Sequence, residues 1–411
     1  MKTKIWRFLL LFSLFSMLSA GAFAEGVDVA LLGPQAGDLV PATLAARAPV
    51  PGGATSRNAV TFSWPLSPRH ALTAEVPHRA SSREYRVQVA ADELARGVTI
   101  YTLAPGAVVR LNPIGSEGGG SLMTEQIGVR PVGRPALDGA AAIEGLVSDR
   151  QLRAAGIPFA AGTIAFRLRP EVGAGALQLS VRDPDAGRYL LHVLDAGSDL
   201  ALDLQATRSA YLAGDPLAAE LSFSRAGIEA LSAEGWLVAP SGRTRGVEVV
   251  MAGRGIWRVG ADLDGDAEAG LWELHLNAAG ELDGTKVVRS VRTAFGVSGA
   301  TARLSGSAGG ELAKSGALTL AVGVETAAPG RYELRGVLYG SGAGGELMPF
   351  AAGHGAAWLE PGVGSVELRF DAALMAGSGL RPPYELRHLQ LLDQGRMGLL
   401  QKQARGLVIT P

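Results

Sequence analysis

Alternation of apolar and polar side chains is the dominant pattern along this chain, and one short stretch shows it best. Trp272, Leu274 and Leu276 fall on one face of an extended strand, and Glu273 and His275 fall on the other. A strand with one apolar face needs a second sheet to cover that face. The pattern therefore predicts a β-sandwich or barrel around this stretch.

Short runs of the same kind recur through the sequence and are separated by turn residues. The chain contains 56 Gly and 22 Pro, which lie mostly between the apolar runs. One short helix is predicted where Ser148 and Gln151 form a capping box and Gly156 can end the helix. The predicted fold class is therefore all-β, with little helix.

The length of 411 residues predicts two or three domains. We expect a mixed N-terminal β domain with the short helix, followed by two immunoglobulin-like β-sandwiches. The N-terminal domain is expected to begin with a Pro-rich arm. The predicted limits are residues 1–24 for a signal peptide, 25–197 for the N-terminal domain, 198–298 for the first sandwich and 299–411 for the C-terminal sandwich.

The number and spacing of the predicted strands in the middle domain are typical of an immunoglobulin-like sandwich. Seven candidate strands follow one another at intervals of about 8–14 residues. Trp236, Trp257 and Trp272 lie in three of these strands. We expect the three indole rings to fill much of the core of this domain.

The first 24 residues have the features of a signal peptide. Basic residues precede an apolar run from Phe8 to Leu18, and the small residues Ala22 and Ala24 precede Glu25. The apolar run is shorter than the roughly 20 residues that a membrane-spanning helix needs. The sequence therefore predicts an exported protein, either periplasmic or extracellular, without a membrane anchor.

Charge and cysteine content exclude several classes of function. Without the predicted leader, about 35 basic residues face 39 acidic residues, and the basic residues are dispersed. Nucleic acid is not expected as a partner, because phosphate binding needs clustered Lys and Arg. The chain has no cysteine, so disulfides, thiol catalysis and thiolate metal sites are excluded.

The order of features resembles that of an uncharacterised family of exported Gram-negative proteins. The resemblance rests on the runs Tyr211–Asp215, Gly270–Trp272, Pro329–Tyr332 and Pro383–Leu386, which are turn and core residues. It implies an N-terminal β domain and two immunoglobulin-like sandwiches. At least one member of this family resembles a substrate of type II secretion, so the resemblance also implies secretion machinery as a partner.

One acidic loop is the candidate metal site. Asp262, Asp264, Asp266 and Glu268 provide carboxylates at positions 1, 3, 5 and 7 of a calcium-type loop. Calcium is the cofactor that this spacing indicates. Position 6 is Ala267, where such loops need Gly, so a solvated turn between two strands is the alternative interpretation.

No motif of nucleophilic or zinc-dependent catalysis occurs in the sequence. We therefore expect a non-enzymatic binding protein with a protein or glycan ligand. Trp64 and Trp358, which lie outside the middle domain, are candidate anchors for such a ligand. The alternatives are a hydrolase or hydrolase accessory protein with acidic residues in the N-terminal domain, and a chaperone-like protein with an open sheet edge.

Overall fold

The computed structural model describes residues 25–50, 56–67, 69, 72, 76–115, 122–253 and 255–410. The predicted signal peptide at residues 1–24 lies outside these ranges. Strands dominate the described residues, which contain four short α-helices, and the predicted all-β fold class is confirmed. None of the described helices is long and apolar enough to cross a membrane.

The leading arm contributes two strands to the C-terminal part of the molecule. In the first strand Val27 lies opposite Gly310 and Val29 lies opposite Ile409, and in the second strand Phe62 lies opposite His354. The apolar face of the first strand packs against the C-terminal core. The arm was expected with the N-terminal domain, but its pairing partners lie in the C-terminal sheets, because an extended apolar strand pairs with whichever sheet edge is open to it. The two strands are β1 (Glu25–Leu31) and β2 (Val60–Pro65).

The N-terminal unit follows the arm and surrounds a core of its own. The predicted short helix is confirmed, and the backbone N–H of Ser148 donates to Oε1 of Gln151 at 2.9 Å. The strand between the arm and this unit, β3 (Arg79–Ser82), pairs with the middle-unit strand at Leu202–Ala206 and completes that unit's sheet. The elements of the N-terminal unit are β4 (Glu84–Ala90), α1 (Ala91–Arg96), β5 (Val98–Thr102), β6 (Val108–Ile114), β7 (Ile127–Pro131), β8 (Leu137–Asp138), α2 (Gly139–Ala142), β9 (Ile143–Ser148), α3 (Asp149–Ala154), β10 (Ile164–Leu168), β11 (Gly175–Val181) and β12 (Arg188–Leu194).

The middle unit contains the seven predicted strands and two further strands of three residues each. Trp257 and Trp272 are buried in its core, as expected, but Trp236 is half-buried on the opposite face. The neighbouring Leu237 takes the core position, so the alternation of this strand turns Trp236 outward. Its strands are β13 (Leu202–Ala206), β14 (Ala210–Leu212), β15 (Pro216–Phe223), β16 (Glu229–Val238), β17 (Thr244–Gly246), β18 (Glu248–Gly253), β19 (Ile256–Asp262), β20 (Gly270–Leu282) and β21 (Thr285–Ser298).

The C-terminal unit is completed by β1 and β2, which pair with its strands. In the described part of the chain the strand order is β2-β25-β24-β27-β28-β1-β22-β23-β26. Its own elements are β22 (Ala302–Leu312), β23 (Leu318–Thr326), β24 (Gly330–Ser341), β25 (Leu347–Leu359), β26 (Gly362–Phe370), α4 (Ala372–Ser378), β27 (Arg381–Asp393) and β28 (Gly398–Thr410).

The N-terminal and middle units share one sheet. Strand β4 of the N-terminal unit meets β21 of the middle unit, where Glu84 lies opposite Ser290. Strands β16 and β20 continue the sheet on one side of this seam, and β12 and β6 continue it on the other. The outward side chains of both units therefore meet on one face at the seam.

Candidate functional site

A groove of about 940 Å³ lies over the seam between the N-terminal and middle units. Its lining comes from β4 and β12 of the N-terminal unit, from β16, β20 and β21 of the middle unit, and from β3, which pairs with the middle unit. The core-facing side chains of these strands form the two hydrophobic cores. The side chains on the opposite face of the same strands therefore line the groove, and most of them are polar.

An aromatic shelf lies at the middle-unit wall of the groove. The ring of Trp236 on β16 stacks on the ring of His275 on β20, with the centroids 5.6 Å apart and an interplanar angle of 18°. The two residues lie directly opposite each other in the ladder. Adjacent antiparallel strands thus hold the two rings side by side.

His275 is held in place by charged neighbours. Its Nε2 lies 2.6 Å from Oε2 of Glu273, and Nη1 of Arg292 lies 3.4 Å from the same oxygen. The hydrogen bond from His275 is the main cause that lowers the pKa of Glu273, and Arg292 adds to the effect. Glu273 therefore remains an anion that orients the shelf.

The N-terminal wall carries a second acid–histidine pair. Nε2 of His192 lies 2.7 Å from Oε2 of Glu84, and the guanidinium of Arg86 donates to the other oxygen of Glu84. The hydrogen bond from His192 is the largest cause that lowers the pKa of Glu84, and the cations Arg86 and Arg110 act in the same direction. This wall therefore presents an ionised carboxylate between cations.

A line of hydrogen bonds crosses the floor of the groove. Oγ of Ser290 donates to Oδ1 of Asn277 at 2.7 Å, and Nδ2 of Asn277 donates to Oε1 of Glu234 at 3.2 Å. The backbone N–H of Arg86 donates to Oγ of Ser290 at 3.2 Å, which links the two units. The floor therefore offers amide, hydroxyl and carboxylate groups whose positions are fixed by one another.

The acidic loop that was the candidate calcium site is engaged by arginines. Nη1 of Arg245 contacts both carboxylate oxygens of Asp264 at 3.1 Å, and Nη2 of Arg243 lies 2.6 Å from Oε1 of Glu268. Within the described ranges, no three His, Asp or Glu side chains are grouped so that they hold a metal. This arrangement does not fit a calcium loop, because two of the four carboxylates already have cationic partners. Asp262 and Asp266, the other two predicted ligands, contribute to no such group in the described chain.

The two aromatic candidates outside the middle unit lie on the C-terminal sheet. Trp64 lies on β2 and is partly exposed. Trp358 lies on β25, and the guanidinium of Arg57 lies 4.6 Å above its ring. The pairing of His275 with Trp236 was not predicted from the sequence. The alternation places His275 on the polar face of its strand but predicts Trp236 in the core, so it does not show that two strands bring the two rings together.

The fold and the groove define a multi-unit all-β protein with a cleft between its first two units. The profile of the Domain of unknown function (DUF4785) N-terminal domain matches residues 51–195, and the profile of the DUF4785 C-terminal domain matches residues 301–410. The chain belongs to the DUF4785 family, which confirms the resemblance to an uncharacterised family. No curated protein matches the chain.

Solved structures support the same fold. A crystal structure of a DUF4785 family protein from Legionella pneumophila is similar with a TM-score of 0.67 and 24% identity, over 86% of this chain and 93% of that chain. Native alpha-2-macroglobulin from E. coli is 12% identical over 82% of this chain and 20% of that chain, with a TM-score of 0.29. At that score the second likeness says nothing about function.

Proposed function

We propose that this protein is an exported, non-enzymatic binding protein that holds a neutral oligosaccharide in the groove between its N-terminal and middle units. The observation that carries the proposal is the stacked pair of Trp236 and His275 at the wall of a groove of about 940 Å³. A groove of this size with an aromatic wall and a few placed polar groups has the character of a small-molecule or oligomer site.

The chemistry of the groove fits a sugar better than a charged ligand. A pyranose ring has an apolar face that packs on an indole, and its hydroxyl groups both donate and accept hydrogen bonds. The groove supplies acceptors at Glu84 and Glu234, donors at Arg86 and Arg292, and an amide at Asn277. Arg83 also lies in the lining, which makes three arginines. Glu273, which contacts Arg292, is the third carboxylate beside Glu84 and Glu234. The opposite charges therefore balance, and a neutral polar chain is the ligand that this lining favours.

The alternative of a glycoside hydrolase is less well supported by the same residues. Such an enzyme needs a carboxylic acid with a raised pKa beside a second carboxylate. Hydrogen bonds from His275 and His192 instead lower the pKa values of Glu273 and Glu84. Both carboxylates are therefore held ionised, as suits hydrogen-bond acceptors in a binding site.

The proposal is tested by titrating residues 25–411 with neutral hexasaccharides of glucose and of N-acetylglucosamine, followed by calorimetry. We expect binding by at least one of them and a loss of about two- to tenfold in affinity in Trp236→Ala, because an aromatic contact contributes about 0.5–1.5 kcal/mol. Trp358→Ala is the control, since Arg57 covers that ring. Binding that Trp236→Ala does not weaken, or release of shortened sugars, would contradict the proposal.

Export is part of the proposal and rests on residues 1–24. Cell fractionation of the full chain and of a chain without residues 2–24 tests it. We expect the full chain outside the cytoplasm and the shortened chain inside. Comparison of strains with and without type II secretion then tests whether that machinery is the partner.

A further inference from the structure

A second aromatic surface lies on the C-terminal unit, where β2 of the leading arm pairs with β25. Phe62 and Trp64 project from the same face of β2, and their rings are 6.0 Å apart at an interplanar angle of 22°. Phe62 is 54% exposed and Trp64 is 38% exposed. Two large aromatic rings at such exposure on one strand form a flat apolar platform.

The platform is fixed from below by His354 on the neighbouring strand. The His354 ring lies 4.7 Å from the Trp64 ring and 5.7 Å from the Phe62 ring. Its Nδ1 lies 3.3 Å from Oε1 of Glu333, and Gln394 donates to the other oxygen of Glu333 at 2.7 Å. The rings therefore have defined positions before any ligand binds.

Guanidinium groups extend the platform across the same face of the sheet. Arg335 lies opposite His354 in the ladder, and Arg387 lies opposite Val337, the next outward position of the same strand. Arg405 lies opposite Arg387 on the following strand. With strands about 4.8 Å apart, the face changes from aromatic at β2 to cationic at β28 over roughly 19 Å.

Carboxylates orient these guanidinium groups from beneath. Glu333 pairs with Arg335, and Glu385 pairs with both Arg387 and Arg405. The arginine side chains are 28–41% exposed, whereas the two glutamates are only 9–11% exposed. A ligand that approaches this face therefore meets N–H donors whose geometry is set by buried acids.

We propose that this surface, which we call the aromatic–arginine face (Phe62, Trp64, His354, Arg335, Arg387 and Arg405), binds a polysaccharide that carries carboxylate groups. The sugar rings pack on Phe62 and Trp64, and the carboxylates accept hydrogen bonds from the arginines. Two acids offset three arginines, which leaves a small positive excess. That excess matches a chain with sparse charges, whereas a nucleic acid needs a denser, uncompensated cluster of cations. The site is separate from the groove and does not rest on the function proposed for it.

Affinity electrophoresis of residues 25–411 in gels that contain polygalacturonate tests this inference. We expect retardation by polygalacturonate and none by neutral dextran. Trp64→Ala should weaken the apparent affinity about tenfold. Arg335→Gln should weaken it as well and reduce its salt dependence, because it removes one charge contact.

Three variants make the result specific. Trp358→Ala removes an aromatic ring from the same strand as His354 and should leave retardation unchanged, because Arg57 covers that ring. Trp236→Ala in the groove should also leave it unchanged. The double variant Phe62→Ala with Trp64→Ala should abolish retardation while the unfolding temperature stays within a few degrees, since both rings are exposed. Lack of retardation of the wild type, retention by the double variant, or equal retardation by single-stranded DNA would overturn the proposal.

Discussion

Nη2 of Arg289 lies 2.8 Å from Oδ2 of Asp195, and neither side chain has any exposed surface. Nη2 of Arg289 also donates to Oγ of Ser198 at 3.1 Å, and Asp195 accepts the backbone N–H of Leu103 at 2.7 Å. The pair ties β21 of the middle unit to the end of the N-terminal unit. Arg289 directly precedes Ser290 on β21, so the pair lies beside the seam that carries the groove.

Breaking this buried pair should destabilise the protein strongly. Asp195→Ala leaves the Arg289 guanidinium buried without its anionic partner, which costs about 3–5 kcal/mol of unfolding free energy. Urea denaturation followed by circular dichroism measures the change. The control is Arg225→Ala, which breaks the exposed pair of Arg225 and Asp199 and should cost about 1 kcal/mol or less. Equal effects of the two variants would show that the buried pair does not join the units.

Substitution of two adjacent glycines in β22 tests the contact of the leading arm with this strand. A Cβ at Gly310 would lie 2.5 Å from Cγ2 of Val27 and 2.6 Å from Cγ2 of Val29, whereas a Cβ at Gly309 has no neighbour within 4 Å. We expect Gly310→Ala to cost about 1–3 kcal/mol, because β1 must shift to make room. Gly309→Ala should be close to neutral. If urea denaturation gives the same stability for both variants, β1 does not pack on β22.

Low pH should destabilise the seam between the N-terminal and middle units, because it protonates Glu84. The pKa of Glu84 lies below its ordinary value of 4.5 because His192 donates a hydrogen bond to the carboxylate. A carboxylate with a lowered pKa stabilises the folded state above pH 4.5, and this contribution disappears as the pH falls through the lowered value. Thermal unfolding between pH 6 and pH 3 should therefore show a smaller decline in Glu84→Gln than in the wild type. His192→Gln should reproduce the smaller decline, and parallel curves for all three proteins would contradict this assignment.

Calcium should leave the acidic loop unaffected. Arg245 and Arg243 already pair with Asp264 and Glu268, so a cation would have to displace two guanidinium groups. We expect the unfolding temperatures in excess calcium and in chelator to agree within about 1 °C. An unfolding temperature that rises in excess calcium, and does not rise in Asp264→Ala, would show instead that the loop opens and binds the ion.

Local patterns in the sequence predict local structure well here. The alternation of Trp272, Leu274 and Leu276 places all three in the core, and the capping box at Ser148 starts a helix, both as expected. These features depend on the chain's own period and on contacts over a few residues. The residues of such a strand or helix are therefore enough to predict its structure.

Pairing between strands that are distant along the chain could not be predicted from the sequence. The run that contains Val27 and Val29 does not indicate which strands it pairs with. The edge of any sheet with an apolar face could pair with it equally well. Trp236 shows the same difficulty on a smaller scale, since a shift of one residue exchanges it with Leu237. The aromatic shelf and the arginines of the aromatic–arginine face are brought together by cross-strand neighbours, so these contacts could not be predicted from the sequence. Trp64 was already a candidate anchor, and Phe62 lies two residues before it on the same strand.

The position of β1 beside β28 sets an order for folding. Val29 pairs with Ile409, a separation of roughly 380 residues along the chain, and contacts that distant form slowly. The N-terminal and middle units hold their own cores and have every strand they need before the last strand is made. No pairing partner of β1 therefore exists until β22 is made, where Val27 meets Gly310. The pairing of Val29 and Leu31 waits for β28 at the end of synthesis. Closure of the C-terminal sandwich around the arm is the late step, and an unfinished chain is the form most exposed to aggregation.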